Sequence, residues 1–331
     1  MASALGARDL FKLVRKGIDV NAVHANIRKP FRYLLCGDPA LVAQLRALLL
    51  SGHTDSIPLD AAACLETIVP STPLVTDPRE VRAIIFLGRP GDATGATFEP
   101  LATLRVPILA LTIDAQAEPS GPSMPPAPGI HAEYGVTAIT REALRGRFFV
   151  HLIDCSKGVE IAVGRRLPVL RETVAAKLTR DAASNSLKVA LASALVDHIP
   201  IVGLVLGAFA SAGDMIAITG IQMMLLLHIE AAYGRDPDLQ RMWELLPVIG
   251  GGFGWRTLAR ELAGFVPVAG VAIKGAIAYA GTIVVGEGVT FFLEHGQHMS
   301  KAEAVQSYER TKGEAMRFAR DFVTKFRKRE G

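Results

Sequence analysis

Two stretches constrain this chain more than anything else in it: IPIVGLVLGAFASAGDMIAITGIQMMLLLHI at 199–229 and FVPVAGVAIKGAIAYAGTIVVGEGVTFFL at 265–293. Each is apolar over nearly its whole length, so any fold must take it out of water, and each is long enough to cross a bilayer as a helix. They resemble one another: Ile199-Pro200-Ile201-Val202-Gly203 aligns with Val266-Pro267-Val268-Ala269-Gly270, and an Ala- and Gly-rich run follows each, which predicts a duplicated helical unit. Polar groups interrupt both, namely Asp214 and Gln222 in the first and Lys274 and Glu287 in the second. A charge at a bilayer centre costs roughly 2.5–3.5 kcal/mol, which weighs against a span. The sequence leaves open two readings: hairpins embedded in a membrane, or broken apolar hairpins packed in a soluble bundle.

The half of the chain ahead of these stretches has a different grammar. RYLLCG around 33–36, VRAIIFLG at 81–88 and VPILALTID at 106–114 are short continuous runs of Ile, Val and Leu bounded by Gly, Pro or Asp. Strands covered on both faces have this pattern. Leu41, Leu45, Leu48 and Leu49 follow the first at helical spacing, so strands alternate with helices and a doubly wound α/β domain is expected over 29–140. An exposed loop is expected at 118–129, where five prolines stand in EPSGPSMPPAPG. From Arg141 onward the signals are helical, so a helical domain of apolar hairpins is expected over 141–331, with Pro168 in the first turn of one helix. A short amphipathic lead-in helix is expected within 1–28, where Leu10, Phe11, Leu13 and Val14 share a face. The last segment starts with a capping box, Ser300 and Glu303, and carries Phe318, Phe322 and Phe326 four residues apart before a basic exit.

The α/β half invites comparison with phosphate-binding folds. A P-loop, G-x-x-x-x-G-K-[ST], works because backbone amides cradle phosphates, the Lys neutralises them and the hydroxyl holds magnesium. The corresponding stretch is Gly37-Asp38-Pro39-Ala40-Leu41-Val42-Ala43-Gln44, with no second Gly, no Lys and no hydroxyl. Asp38 repels phosphate and Pro39 removes a donor. No Asp-x-x-Gly follows an early strand, and Leu111-Thr112-Ile113-Asp114 stands where Asn-Lys-x-Asp would read guanine. Thus Gly37, Asp38, Pro39 and Gln44 mark a degenerate phosphate position, and Thr112 and Asp114 a degenerate base position. Gly88, Gly91 and Gly95 read as a turn, and Gly250 to Gly254 as a helix junction.

Other chemistry finds little support. Cys36, Cys64 and Cys155 lack C-x-x-C spacing, which fits a reducing compartment rather than a disulfide or zinc framework. His295 and His298, beside Glu294, make a poor metal site. The sequence contains no G-x-S-x-G and no H-E-x-x-H, and no motif calls for a cofactor. The beginning, MASALGARDLFKLVRKGIDV, does not have the form of a secretory signal. The net charge is +4, and cations cluster towards both ends: Lys12, Arg15, Lys16, Arg28, Lys29 and Arg32, then Lys325, Arg327, Lys328 and Arg329. Such clusters suit an anionic lipid surface. Aromatics are not interleaved with the cations as nucleic-acid stacking would require, so nucleic acid is not expected as a partner.

The segment from Arg165 to Gly234 carries RRLPVLRETVAAKLTRDAASNS, IPIVG and GDMIAITGIQMMLLLHIEAAYG, and FVPVAG follows later. It resembles the helical domain of unknown function 697, which follows Era-like bacterial GTPase domains. Leu167 to Arg171, Asp214 to Gln222 and Ala231 to Gly234 carry the likeness, and the strand order over 29–140 is similar to the accompanying G domain. The resemblance implies a bacterial protein on the cytoplasmic side of a membrane, but the family's GTP-binding residues do not transfer to the degenerate positions. The expected function is a non-catalytic pseudo-GTPase scaffold, with a protein partner, membrane lipid and further copies of itself as partners and nucleotide disfavoured. The alternatives are a divergent nucleotide-binding switch and an oligomeric membrane-embedded pore or transport component.

Overall fold

The computed structural model describes residues 18–54, 56–70, 76–92, 101, 104–114, 129–196, 203–239 and 270–330; the side chains of 193–196, 203–215, 270–274, 301 and 318–330 fall outside that description. The lead-in face at 8–17, the proline-rich loop, Gly95 and the 250–254 junction also lie outside it, as do Phe318, Phe322 and Phe326 as side chains.

In chain order the elements are α1 (Val20–Arg28), β1 (Arg32–Gly37), α2 (Pro39–Leu49), α3 (Leu59–Ala63), β2 (Leu65–Thr67), β3 (Val81–Gly88), β4 (Ile108–Ile113), β5 (Ala132–Val136), α4 (Arg141–Arg145), α5 (Phe148–Cys155), α6 (Glu160–Arg166), a 3₁₀ turn (Pro168–Leu170), α7 (Arg171–Val196), α8 (Gly203–Ala232), α9 (Gly270–His295) and α10 (Lys301–Glu330). They form two compact units, 24–177 with 231–235, and 1–23 with 178–230 and 236–331. The expected boundary at 140 therefore moves into α7. The reason is burial: Phe148, Phe149, Leu152 and Ile153 of α5 are fully buried and α5 packs on β3, so this helix completes the α/β core.

The sheet of the α/β unit is wholly parallel, in the order β2-β1-β3-β4-β5. β1 lies beside β3 with Leu34 opposite Ile84, and β3 beside β4 with Ile85 opposite Leu109. Leu34, Leu35, Ile84, Ile85, Leu109 and Leu111 are 0% exposed, as strands covered on both faces must be. At the core's edge the Tyr33 hydroxyl meets Ser156 Oγ at 2.5 Å, which satisfies the polar end of an otherwise buried ring.

In the helical unit the expected hairpins are corrected. From Gly203 and from Gly270 each apolar stretch continues as one unbroken helix, α8 of 30 residues and α9 of 26. Nothing inside either run breaks the backbone ladder, because the prolines precede the helices and interior Gly weakens a helix without removing its hydrogen bonds. The hairpin that does form joins α9 to α10. Glu287 lies against Ser307 and Arg310, while Ala276, Tyr279 and Ile283 share a core cluster with Ala315 and Met316, so the two helices run antiparallel. The capping box is present: Ser300 N donates to Glu303 Oε2 at 2.7 Å and Glu303 N to Ser300 Oγ at 3.3 Å.

Candidate functional site

In a doubly wound sheet ligands sit at the carboxyl ends of the strands, where the strand order reverses. Here that point lies between β1 and β3, so the degenerate phosphate turn is where a ligand site would be. β1 ends at Gly37, Asp38 is the cap and Pro39 already begins α2, so no loop remains to wrap a phosphate. Gly37 has φ +112°, and a Cβ there would stand 1.9 Å from Leu87 O. Asp38 N donates to the same Leu87 O at 2.8 Å, which ties the turn to β3.

The helix N-terminus beyond is already occupied. Asp38 Oδ1 accepts from Ala40 N at 2.8 Å and from Leu41 N at 3.1 Å. First-turn amides and the positive end of the helix dipole are what a phosphate would use, and an internal carboxylate takes them instead. Gln44 is exposed, one turn further along α2. The β3 end repeats the device: Arg89 N donates to Asp92 Oδ2 at 2.8 Å, in a turn where Gly91 has positive φ. Both strand ends at the switch point therefore present carboxylates folded onto their own amides.

At the degenerate base position, Thr112 is 2% exposed inside β4. Its hydroxyl points to Tyr134 O on β5, at 3.5 Å, so it belongs to the sheet. Asp114 N donates to Val136 O at 2.9 Å as the ladder's last rung. A pocket of about 300 Å³ lies beyond β5, lined by Tyr134, Thr137, Thr140 and Arg147 among others. There the Tyr134 hydroxyl meets His151 Nδ1 at 2.5 Å, and burial raises the phenol's pKa above its ordinary value of 10.0. Sequence reasoning did not find this pocket, because no motif announces it.

Two of the stretches quoted for the resemblance, Leu167 to Arg171 and Ala231 to Gly234, come together within the α/β unit. Arg171 Nε donates to Gly164 O at 3.2 Å while its guanidinium lies over the Tyr233 ring, 5.8 Å from the centroid. Arg165 reaches Arg235 O at 2.9 Å. Leu-Pro-x-x-Arg and Ala-Ala-Tyr-Gly thus form a joint between the start of α7 and the residues after α8. Burial lowers the pKa of Arg171 below the ordinary guanidinium value, although the group remains a cation at any physiological pH.

Of the four polar candidates in the helical unit, Gln222 and Glu287 have described side chains and Asp214 and Lys274 do not. Gln222 Nε2 donates to Thr282 Oγ1 at 3.3 Å, and Thr282 Oγ1 lies 3.0 Å from Ser186 Oγ and 2.8 Å from Ala278 O. These buried groups link α7, α8 and α9 and satisfy one another. Glu287 accepts from the Ser307 hydroxyl at 2.5 Å and from Arg310 at 2.6 Å. His295 and His298 stack on Phe291 and Phe292 respectively. No group of three or more His, Cys, Asp or Glu residues suited to a metal occurs among the described residues.

The helical unit also contains an open groove of about 670 Å³ between α7 and α8. Leu178, Asp181, Ala182 and Asn185 supply one wall, at i, i+3, i+4 and i+7. Ile216, Gly220, Ile221, Met224 and His228 belong to the other, and Ile18 closes one part of it. One described helix segment, Gly275–His295, is long and apolar enough to cross a membrane, and 61% of its most apolar window is buried inside the protein.

No protein-family model matches the chain, and no curated protein or solved structure is similar to it.

Proposed function

We propose that this protein is a non-catalytic, G-like scaffold in which the α/β unit binds a partner protein rather than a nucleotide. The observation that carries the reading is the Asp38 carboxylate seated on Ala40 N and Leu41 N, at the helix N-terminus a phosphate would need. Three facts support it. The β1 turn has no loop, Gly37 is pressed against Leu87 O, and Thr112 is spent inside the sheet. A fold without its chemistry still presents a surface. The helical unit makes the protein a peripheral, self-associating component at the cytoplasmic face of a bacterial membrane, with basic ends that favour anionic lipid.

The test is calorimetric titration of the full chain with GTP and with GDP in magnesium, at protein concentrations that reveal micromolar binding. No heat with either nucleotide is expected. Saturable micromolar binding overturns the reading and makes Gly37 to Gln44 the first stretch to mutate.

A further inference from the structure

We propose that the pocket beyond β5 is a binding site for a small zwitterion, an α-amino acid with an apolar side chain. The first argument is the pairing of opposite charges. Arg147 and Glu142 line the same cavity of about 300 Å³, together with Thr137 and Thr140. The carboxylate turns away a simple anion and the guanidinium a simple cation, whereas a molecule that carries both signs meets both groups. Exposed Thr137, Glu142 and Arg147 form the rim of the pocket, and buried Val136 and Phe148 form an apolar floor for a side chain.

The second argument is that these polar groups have capacity to spare. Neither the Thr137 hydroxyl nor the Glu142 carboxylate has a partner among the described residues. Thr140 Oγ1 accepts from Ala143 N at 3.3 Å, which leaves its own hydrogen to donate. Arg147 has five donors, enough to hold a carboxylate beside its own contacts.

The third argument is that the wall is fixed in advance. The Tyr134 ring stands edge-to-face with Phe148, 5.6 Å between centroids, and its hydroxyl is bonded to His151 Nδ1 at 2.5 Å. The Arg147 guanidinium lies over that ring, 5.8 Å from the centroid, so the cation is held in place before a ligand arrives. Ligand pockets run from about 300 to 1,000 Å³, which puts this one at the small end and matches an amino acid rather than a nucleoside triphosphate. The site lies at the edge strand β5, away from the turn that Asp38 closes to phosphate. The inference therefore does not rest on the scaffold reading, which the nucleotide titration tests separately.

The test titrates the full chain with L-leucine and with L-phenylalanine, read by calorimetry and by ligand-observed saturation-transfer NMR, which also detects weak binding. Saturable binding of at least one of the two is expected. Its N-acetyl and amide derivatives, which each lack one charge, should bind at least about tenfold more weakly, as should both free amino acids to Glu142→Gln and Arg147→Gln. No saturable binding of either amino acid overturns the proposal. An N-acetyl derivative that binds as tightly as the free amino acid also overturns it, because a lone carboxylate such as a peptide C-terminus then suffices. Unchanged affinity in Glu142→Gln, an exposed replacement that leaves the core untouched, counts equally against it.

Discussion

At the scale of single residues, Gly37 and Asp38 decide what the α/β unit can do. Gly37→Ala combines a left-handed backbone with a Cβ 1.9 Å from Leu87 O, so β1 and β3 would have to part. Backbone strain alone amounts to about 1–3 kcal/mol and the clash adds to it, so urea unfolding should show a loss at or above the upper figure. Asp38→Ala removes only a cap and should cost about 0.5–2 kcal/mol, while Asp38→Asn, which still caps, should stay near wild type in the same assay. The thiols give a different residue-level expectation. Burial pushes Cys36 up to about 12 and Cys64 and Cys155 up to about 11, so at pH 8 about one in a thousand of the latter two is thiolate. Ellman's reagent should therefore find little reactive thiol in the native protein at pH 8 and all three once it is denatured. The repulsive character of Asp38 was legible in the sequence. Its capping role is carried by the same Asp-Pro pair, because Asp before Pro at a strand-to-helix junction is a helix-start signature. The N-terminal cations read as one cluster, yet Arg32 pairs with Glu66 and Glu80, and Lys29 Nζ donates to Gly158 O at 3.0 Å. Charge counted along a chain does not reveal which partners folding supplies.

At the scale of elements, β3 is legible residue for residue and β1 and β4 nearly so, because strands buried on both faces leave an unbroken apolar run. β2 and β5 are not. They are the edges of the sheet, β2 has three residues, and Glu133, Tyr134 and Gly135 in β5 are partly or fully exposed, so neither shows a run or an alternation. In the helical unit the contact between α7 and α9 depends on Gly286, where a Cβ would meet Thr179 Oγ1 at 2.2 Å. Gly286→Ala should cost about 1–3 kcal/mol in thermal or urea unfolding as the helices are forced apart. The polar link among the same helices should show coupling. Thr282→Val strands the Gln222 amide and should cost about 1–3 kcal/mol, whereas adding Gln222→Leu should return part of that loss in a double-mutant cycle. His228 gives α8 a pH dependence. Burial lowers its pKa below the ordinary 6.5, so the fold prefers the neutral ring. The unfolded chain then takes up the proton first, and stability is complete above 6.5 and falls as pH drops from there towards the folded value. His228→Gln should flatten that part of a pH–stability curve measured by urea midpoint.

At the scale of the whole molecule, the question left by two apolar stretches is whether either crosses a bilayer, and the packing of α9 argues the answer. Its window from Gly275 to His295 qualifies by length and composition, but 61% of its most apolar part is already buried inside the protein. Ala276, Tyr279 and Ile283 pack against Leu187 and Leu191 of α7 and Ala315 of α10. α10 runs antiparallel beside α9 and is tied to it by Ser307 and Arg310 on Glu287. If α9 entered a hydrocarbon layer in this arrangement, α10 would have to follow with Glu309, Arg310, Lys312 and Glu314, and insertion of such groups at depth costs roughly 2.5–3.5 kcal/mol each for Arg, Lys or Asp. That sum exceeds the stability of an ordinary domain's margin within a few residues. The buried part of α9's apolarity packs against α7 and α10, which hydropathy alone could not reveal because a buried core helix and a spanning helix satisfy the same composition. The expected behaviour on fractionation follows. Protein bound to vesicles containing anionic lipid should be released by high salt or alkaline carbonate, with release rising as screening weakens the basic ends. Retention in the carbonate-resistant pellet would mean that α9 leaves α7 and α10 to enter the bilayer, and the Gly286 and Thr282 variants would then change membrane insertion rather than unfolding in water.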